Sequence, residues 1–131
     1  MGLLREIVFE SRSAPALARF WAAVLDGYAL RAYDQAEIDR LAALGFTPET
    51  DPVVLVDGPG PSLCFHQVPG RDYTNNRVHL DIAAPDRAAE VRRLLALGAR
   101  IQREADGYTV MLDPEGNQFC VADPSHPEPS T

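Results

Sequence analysis

The chain has 131 residues, 46% hydrophobic and 24% charged, which is the composition of a globular domain long enough to bury a core. Its net charge of −7 argues against nucleic acid and anionic membrane surfaces as partners, because both require a basic patch. No apolar run approaches the ~20 residues that span a bilayer, and no signal peptide is visible at the N-terminus, so we expect a cytoplasmic protein outside the membrane.

The hydrophobic pattern predicts two successive copies of one strand-helix-strand-strand-strand unit. Period-two alternation marks the strands, helical spacing marks the helices, and glycine and proline mark the turns. The first copy comprises strands at 5–11, 28–33, 53–56 and 62–68, a helix at 14–26 with Ser13 as N-cap, and a short helix at 35–44 capped by Asp34. The second copy comprises strands at 77–83, 100–104, 108–113 and 118–122, and a helix at 85–97. The 35–44 helix has no counterpart in the second copy and is interpreted as an insertion.

A short sequence repeat supports the two copies. Residues 55–65 and 111–121 each begin with two apolar residues followed by an aspartate, which is Asp57 or Asp113. A glycine follows three positions after the aspartate, and a cysteine, Cys64 or Cys120, follows seven positions after it. These are the only 2 cysteines of the chain. A repeat of this kind indicates two similar supersecondary units, and an unsecreted chain favours thiols over a disulfide.

One face of each predicted sheet carries polar and ionisable side chains. Strand side chains alternate, and each helix must cover the apolar face of its sheet. The opposite face is therefore expected to carry Glu6, Val8, Glu10, Cys64, His66, His79, Asp81, Gln118 and Cys120. Counted back from the ends of the two helices, Glu6 and His79 occupy matching positions of the two opening strands. If the two sheets lie side by side and curl, this face lines a concave cleft for a ligand or metal.

The chain resembles the vicinal oxygen chelate superfamily, in particular its glyoxalase-like branch. The resemblance is carried by the double unit and by four motifs, Arg19-Phe20-Trp21-Ala22-Ala23-Val24-Leu25, Asn76-Arg77-Val78-His79-Leu80-Asp81, Leu97-Gly98-Ala99 and Asp113-Pro114-Glu115-Gly116-Asn117-Gln118-Phe119-Cys120-Val121. It implies an α+β fold in which two βαβββ modules form a curved mixed sheet with a concave cleft and with helices on the outer face. The expected domain spans residues 1–123, with modules at about 4–68 and 77–122, an insertion at about 34–45 and a flexible tail at 124–131.

The resemblance also implies a metal-supporting cleft, often built between two subunits, so a homodimer is expected. The family's usual ligands are a His or Glu on each opening strand and a Glu on each closing strand. Glu6 and His79 match the first pair, whereas Cys64 and Cys120 stand where the glutamates would be, and His66 is a substitute ligand. Oxygen-rich sites suit Ni, Co, Mn, Fe(II) or Mg, and a set of two Cys, His and Glu would suit Zn. The alternative is that no metal is bound and that each cysteine is a small half-buried hydrophobe.

The resemblance leads to two functional hypotheses. The first is a glyoxalase-like enzyme acting on a small organic molecule, by metal-assisted lyase, isomerase or dioxygenase-type chemistry, with Glu6 or His79 moving the proton and with Asp81 and Gln118 lining the substrate cleft. The plain alternative for His79 is a strand histidine hydrogen-bonded to a neighbour. The plain alternative for Asp81 is a solvated or arginine-paired aspartate. The second hypothesis is a non-catalytic protein that sequesters a small molecule, as resistance proteins of this fold do. A structural domain with a vestigial cleft ranks behind both.

Overall fold

The computed structural model describes residues 3–70 and 80–125, which fall into two compact units, Met1–Arg71 and Asp72–Thr131. Each unit contains one four-stranded mixed sheet and at least one helix, in the order strand, helix and three strands. This confirms the α+β class and the two βαβββ modules. Predicted residue His79 and the motif residues Asn76 and Arg77 lie outside the described residues. Within the described ranges, none of the helices has the length and hydrophobicity needed to cross a membrane.

The first unit is a sheet covered on one face by a helix. Its elements are β1 (Glu6–Ser11), α1 (Ala14–Val24), β2 (Ala29–Leu30), α2 (Gln35–Ala43), β3 (Val53–Asp57) and β4 (Ser62–Gln67). The strand order is β1-β4-β3-β2, with β1 parallel to β4 and the other pairs antiparallel. The ring of Phe9 stacks between Phe65, at 5.1 Å, and Trp21, at 6.2 Å between ring centroids. Trp21 and Phe65 are fully buried, so this aromatic stack joins α1 to the sheet.

The two helices of this unit begin in different ways. Asp34 caps α2 as predicted, because its carboxylate accepts a hydrogen bond from the Glu37 N–H at 2.8 Å. Ser13 occupies the N-cap position of α1, but its side chain makes no capping hydrogen bond, and Pro15 lies in the first turn instead. The predicted end of α1 at residue 26 was wrong by two residues, since Leu25 is already extended.

The described part of the second unit, residues 80–125, repeats this plan without an inserted helix. Its elements are β5 (Leu80–Ala83), α3 (Arg87–Ala96), β6 (Arg100–Ala105), β7 (Tyr108–Leu112) and β8 (Gln118–Ala122). The strand order is β5-β8-β7-β6, and β5 runs parallel to β8. Leu94 of α3 and Met111 and Phe119 of the sheet are fully buried in its core. The helix begins at Arg87 rather than at residue 85, because Asp86 is the N-cap and accepts from the Ala89 N–H.

The two aspartates of the sequence repeat have different surroundings. Asp113 is fully buried, and its carboxylate accepts hydrogen bonds from the N–H groups of Glu115 and Asn117, both at 2.9 Å, and from the Asn117 amide at 2.8 Å. These bonds hold the β7–β8 turn, in which Gly116 has a φ of +90°. Asp57 is partly exposed and instead pairs with Arg31.

We expect Asp113→Ala to lower the free energy of unfolding by about 2–3 kcal/mol, because three donors lose a charged acceptor. Asp113→Asn should lower the free energy of unfolding by less, since its amide oxygen still accepts hydrogen bonds. Urea unfolding of both variants measures the difference. Asp106→Ala, at an exposed turn position of the same unit, is the control and should change stability by less than about 0.5 kcal/mol. Equal losses at the two positions would contradict the anchoring role of Asp113.

Candidate functional site

The candidate site lies on the face of the first unit's sheet that α1 does not cover, here called the open face. Strand register places its residues in rows. The middle row is Val8, Cys64 and Leu55, side by side on β1, β4 and β3. A second row holds Glu10, His66 and Val53, and Glu6 lies opposite Ser62 at the other end. This register confirms that Glu6, Cys64 and His66 share one face.

The open face is more apolar than the sequence analysis predicted. Val8 is 54% exposed and Val53 is 41% exposed, and Leu55, half-buried, lies two residues from Val53 on β3 and across Cys64 from Val8. The prediction considered only the first and last strands and missed the contribution of β3. The alternation of Val53, Leu55 and Asp57 along β3 was the available signal. Exposed apolar patches next to polar residues often mark interaction surfaces.

A charged cluster borders one end of the strip. The Arg31 guanidinium donates two hydrogen bonds to the Asp57 carboxylate, at 2.7 and 2.9 Å, and the Ser62 hydroxyl donates a third at 2.6 Å. The Arg31 hydrogen bond, followed by that of Ser62, lowers the pKa of Asp57 to about 2. The same hydrogen bond raises the pKa of Arg31, to which the negative charge of Glu6 also contributes. The cluster therefore ties β2, β3 and β4 together beside Glu6.

The predicted metal ligands of the first unit are spread along the open face. Glu6 is opposite Ser62, so Glu6 and His66 are four residues apart along the sheet. At ~3.3 Å per residue this is ~13 Å, with Cys64 roughly midway, too far for one ion. Over residues 3–70 and 80–125, no three His, Cys, Asp or Glu side chains are grouped so that they could hold a metal. The described donors alone therefore do not fit the implied metal, and any ligation that includes His79 stays a prediction.

The two cysteines occupy equivalent places in the two sheets, as the repeat predicted. Cys64 is paired in register with Val8, and Cys120 with Asp81, in each case across the parallel strand pair. Both are free thiols and buried. Burial first, and then the charge of Glu6, raises the pKa of Cys64. Burial first, and then the charge and hydrogen bond of Asp81, raises the pKa of Cys120. At neutral pH both are uncharged hydrophobes.

Gln118, predicted to line the substrate cleft, is on β8 and hydrogen-bonds across β7 to a side chain of β6. Its amide donates to the Gln102 side-chain oxygen at 2.6 Å. Asp81 shares the face of Cys120 and is exposed. Their roles toward a substrate stay predictions, as do the single domain, the homodimer and the cytoplasmic location.

We expect both thiols to react slowly with iodoacetamide at pH 8, at least about tenfold more slowly than glutathione, because burial limits access and a raised pKa lowers the thiolate fraction. Mass spectrometry of Cys64→Ser and Cys120→Ser separates the two sites. The urea-unfolded chain is the control and should react at the glutathione rate. A native thiol that reacts as fast as glutathione would contradict this description of its surroundings.

We expect Asp57→Asn to lower the free energy of unfolding by less than about 1 kcal/mol at pH 7. The loss is small because Arg31 and Asp57 are both about half exposed and solvent screens the pair. The pKa of Asp57 is about 2 in the folded protein, below the ~3.9 of an unfolded chain, so this stabilisation is complete above pH ~4. It disappears as the pH falls from about 4 to 2. Urea unfolding of the natural chain and of Asp57→Asn at pH 7, 4 and 2.5 measures how the difference in free energy of unfolding changes with pH. In an Arg31→Met background the difference should shrink, and a difference that grows with acidification would refute the assignment.

A family model described as a glyoxalase-like domain matches residues 6–122. The fold is similar to that of a glyoxalase/bleomycin resistance protein/dioxygenase family enzyme from Burkholderia phytofirmans PsJN, with a TM-score of 0.65 and 16% identity over 93% of this chain and 98% of that one. A glyoxalase-related enzyme from Fulvimarina pelagi gives a TM-score of 0.66 and 16% identity, over 99% and 94% of the two chains. A glyoxalase/bleomycin resistance protein from Albidiferax ferrireducens T118 gives a TM-score of 0.56 and 17% identity, over 94% of this chain and 98% of that one.

At these identities the likeness to solved structures is one of fold, and no curated protein matched the sequence. The family model, however, runs from the first residue of β1 to the last residue of β8 and so includes both βαβββ units. The chain therefore belongs to the glyoxalase-like domain family and has the vicinal oxygen chelate fold.

Proposed function

We propose that this protein binds and sequesters a small, largely apolar organic molecule on the open face of its first unit. The observation that carries the proposal is the apolar strip formed by exposed Val8 and Val53 and half-buried Leu55. Apolar side chains in two adjacent rows, next to charged groups, favour a ligand that is apolar in its middle and polar at its edges.

The position of the cysteines supports binding over metal chemistry. The resemblance places anionic metal ligands on the closing strands, but Cys64 is a buried neutral thiol there and extends the apolar middle row. Thiols in this state behave as small hydrophobes. The face thus offers dispersion contacts and burial of apolar area at its centre.

The dimensions of the face limit the size of the ligand. The polar rows of Glu6 and Glu10 are four residues apart along β1, or ~13 Å, and three strands span ~10 Å. This matches a flat molecule of about two fused rings. The Arg31–Asp57 cluster with Glu6 would contact one of its edges, and His66 with Glu10 the other.

We expect a thermal-shift screen of flat aromatic compounds to give ligands whose affinity falls about fivefold in Val8→Gln, because the variant removes roughly 1 kcal/mol of apolar contact. Leu95→Gln, at a 42% exposed leucine on α3, is the matched control and should leave affinity unchanged. Isothermal titration measures both. A screen without ligands, together with turnover of a 2-oxoaldehyde–thiol adduct, would refute sequestration.

A second candidate is a metal-assisted lyase or isomerase. It is favoured by Glu6, which lies on β1 at the position where the resemblance places a metal ligand and next to the apolar strip. Its other ligands would have to include His79, outside the described residues. The bound metal would act as a Lewis acid on a substrate oxygen, and Glu6 would hold or move the proton.

For this candidate we expect purified protein to retain a divalent ion in elemental analysis and to lose at least about tenfold in metal affinity in Glu6→Gln, since a neutral amide is a poor ligand. Glu10→Gln, at the far polar row of the same strand, is the control. Equal metal content in both variants would count against Glu6 as a ligand.

A further inference from the structure

A pocket of about 260 Å³ adjoins the open face, between β3 and the inserted helix α2. We call it the α2 pocket. Its floor is formed by Val53 and Leu55, and its walls include Arg31, Tyr33, Asp34 and Asp51. Whole-ligand sites usually have ~300–1,000 Å³, so a pocket of this size suits one substituent of a larger ligand.

The pocket is continuous with the candidate site. Val53 and Leu55 belong both to the pocket floor and to the apolar strip of the open face. A ligand lying over the strip can therefore place a side group under α2 without leaving the surface. This inference rests on the proposed function for the position of the rest of the ligand.

The two donor side chains that line the pocket, Arg31 and Tyr33, are each hydrogen-bonded to a carboxylate, and three of the five N–H groups of Arg31 remain for other acceptors. Two N–H groups of Arg31 donate to Asp57, and the Tyr33 hydroxyl donates to the Asp51 carboxylate at 2.8 Å. Burial, followed by the hydrogen bond to Asp51, raises the pKa of Tyr33, so its hydroxyl keeps its proton. The Val53 N–H donates to the other Asp51 oxygen at 2.9 Å.

The acceptors of the pocket outnumber its remaining donors. A carboxylate offers about four acceptor positions. Three carboxylates line the pocket, and hydrogen bonds use two positions on Asp51, one on Asp34 and two on Glu37. The pocket therefore favours a group that donates hydrogen bonds.

The charge of the pocket points the same way. Asp51 is only 3% exposed, and its hydrogen-bond partners among the described residues, a phenol and a backbone N–H, are neutral. The charge of Asp51 contributes to raising the pKa of Arg40, but the Arg40 guanidinium is paired with the Glu37 carboxylate at 2.6 Å. Arg31 is similarly matched by Asp57. A buried carboxylate in this setting is stabilised by a nearby cation, and the Tyr33 ring adds a face for cation–π contact.

The helix that closes the pocket is well anchored. The Asp34 cap holds its start, the Glu37–Arg40 pair spans one turn, and Leu41 is 1% exposed in the core. Since residues 80–125 of the second unit contain no such helix, the pocket is a feature of the insertion.

We propose that the α2 pocket is a specificity subsite that takes a positively charged, hydrogen-bond-donating group, such as a primary ammonium or an amidinium, of the ligand bound on the open face. Asp51 and Asp34 receive the hydrogen bonds, Tyr33 provides the aromatic wall, and Val53 and Leu55 contact the carbon atoms next to the charged group.

The test is an NMR titration of the full chain with benzylammonium, benzyl alcohol and benzoate at constant ionic strength. Saturable amide shifts at residues 31–37 and 51–55 are expected with benzylammonium, with at least tenfold weaker binding of benzyl alcohol and none of benzoate. Asp51→Asn should weaken benzylammonium at least fivefold and leave benzyl alcohol unchanged. Asp34→Asn, which retains a good N-cap, should act in the same direction.

The control is Asp39→Asn, which makes the same charge change on α2 at an exposed residue outside the pocket lining. If it weakens benzylammonium as much as Asp51→Asn, the attraction is that of the net charge of −7, and the subsite is refuted. Equal affinity for benzyl alcohol, or shifts elsewhere in the chain, refutes it too. If benzylammonium does not bind in the α2 pocket but ligands whose affinity depends on Val8 are found, the subsite is refuted and the proposed function still holds. Probe binding in the pocket without any Val8-dependent ligand supports the subsite and overturns the open-face function alone.

Discussion

The parallel pairing of the first and last strands in each unit is the constraint on which the rest of the structure depends. It places Val8 beside Cys64 and Asp81 beside Cys120, and alternation then assigns every other residue of these strands to a face. A shift of one residue would exchange the apolar and the open faces. The same register separates Glu6 from His66, so the spacing of candidate ligands follows from strand pairing.

The repeat preserves geometry while its chemistry differs between the units. Cys64 and Cys120 occupy equivalent places, yet Cys64 has an apolar strand neighbour and Cys120 has a carboxylate. Asp57 binds an arginine at the surface, whereas Asp113 is buried and holds a turn. Equivalent positions therefore carry structural information, but the role of each residue depends on what the neighbouring strands and turns supply.

Family membership establishes the fold of this chain, and function belongs to the residues placed on it. Among the described residues, the features that distinguish the first unit are the apolar strip of Val8, Leu55 and Val53 and the α2 insertion. Both lie beside the same open face, through Val53 and Leu55. The proposed recognition of an organic molecule by apolar contact and charge rests on them, and it would be a different use of the fold from metal-supported turnover.

The amino-acid sequence was enough to predict the strands, the helices and their order, because alternation, helical spacing and glycine or proline turns are local properties. It also determined the equivalence of Cys64 and Cys120 and the cap at Asp34. It did not determine where α1 ends, since Leu25 is apolar in either conformation. Tertiary structure alone decided the Arg31–Asp57 and Tyr33–Asp51 pairs, whose partners are 26 and 18 residues apart. No short-range pattern encodes such contacts, because they form only when β2, α2 and β3 have packed together.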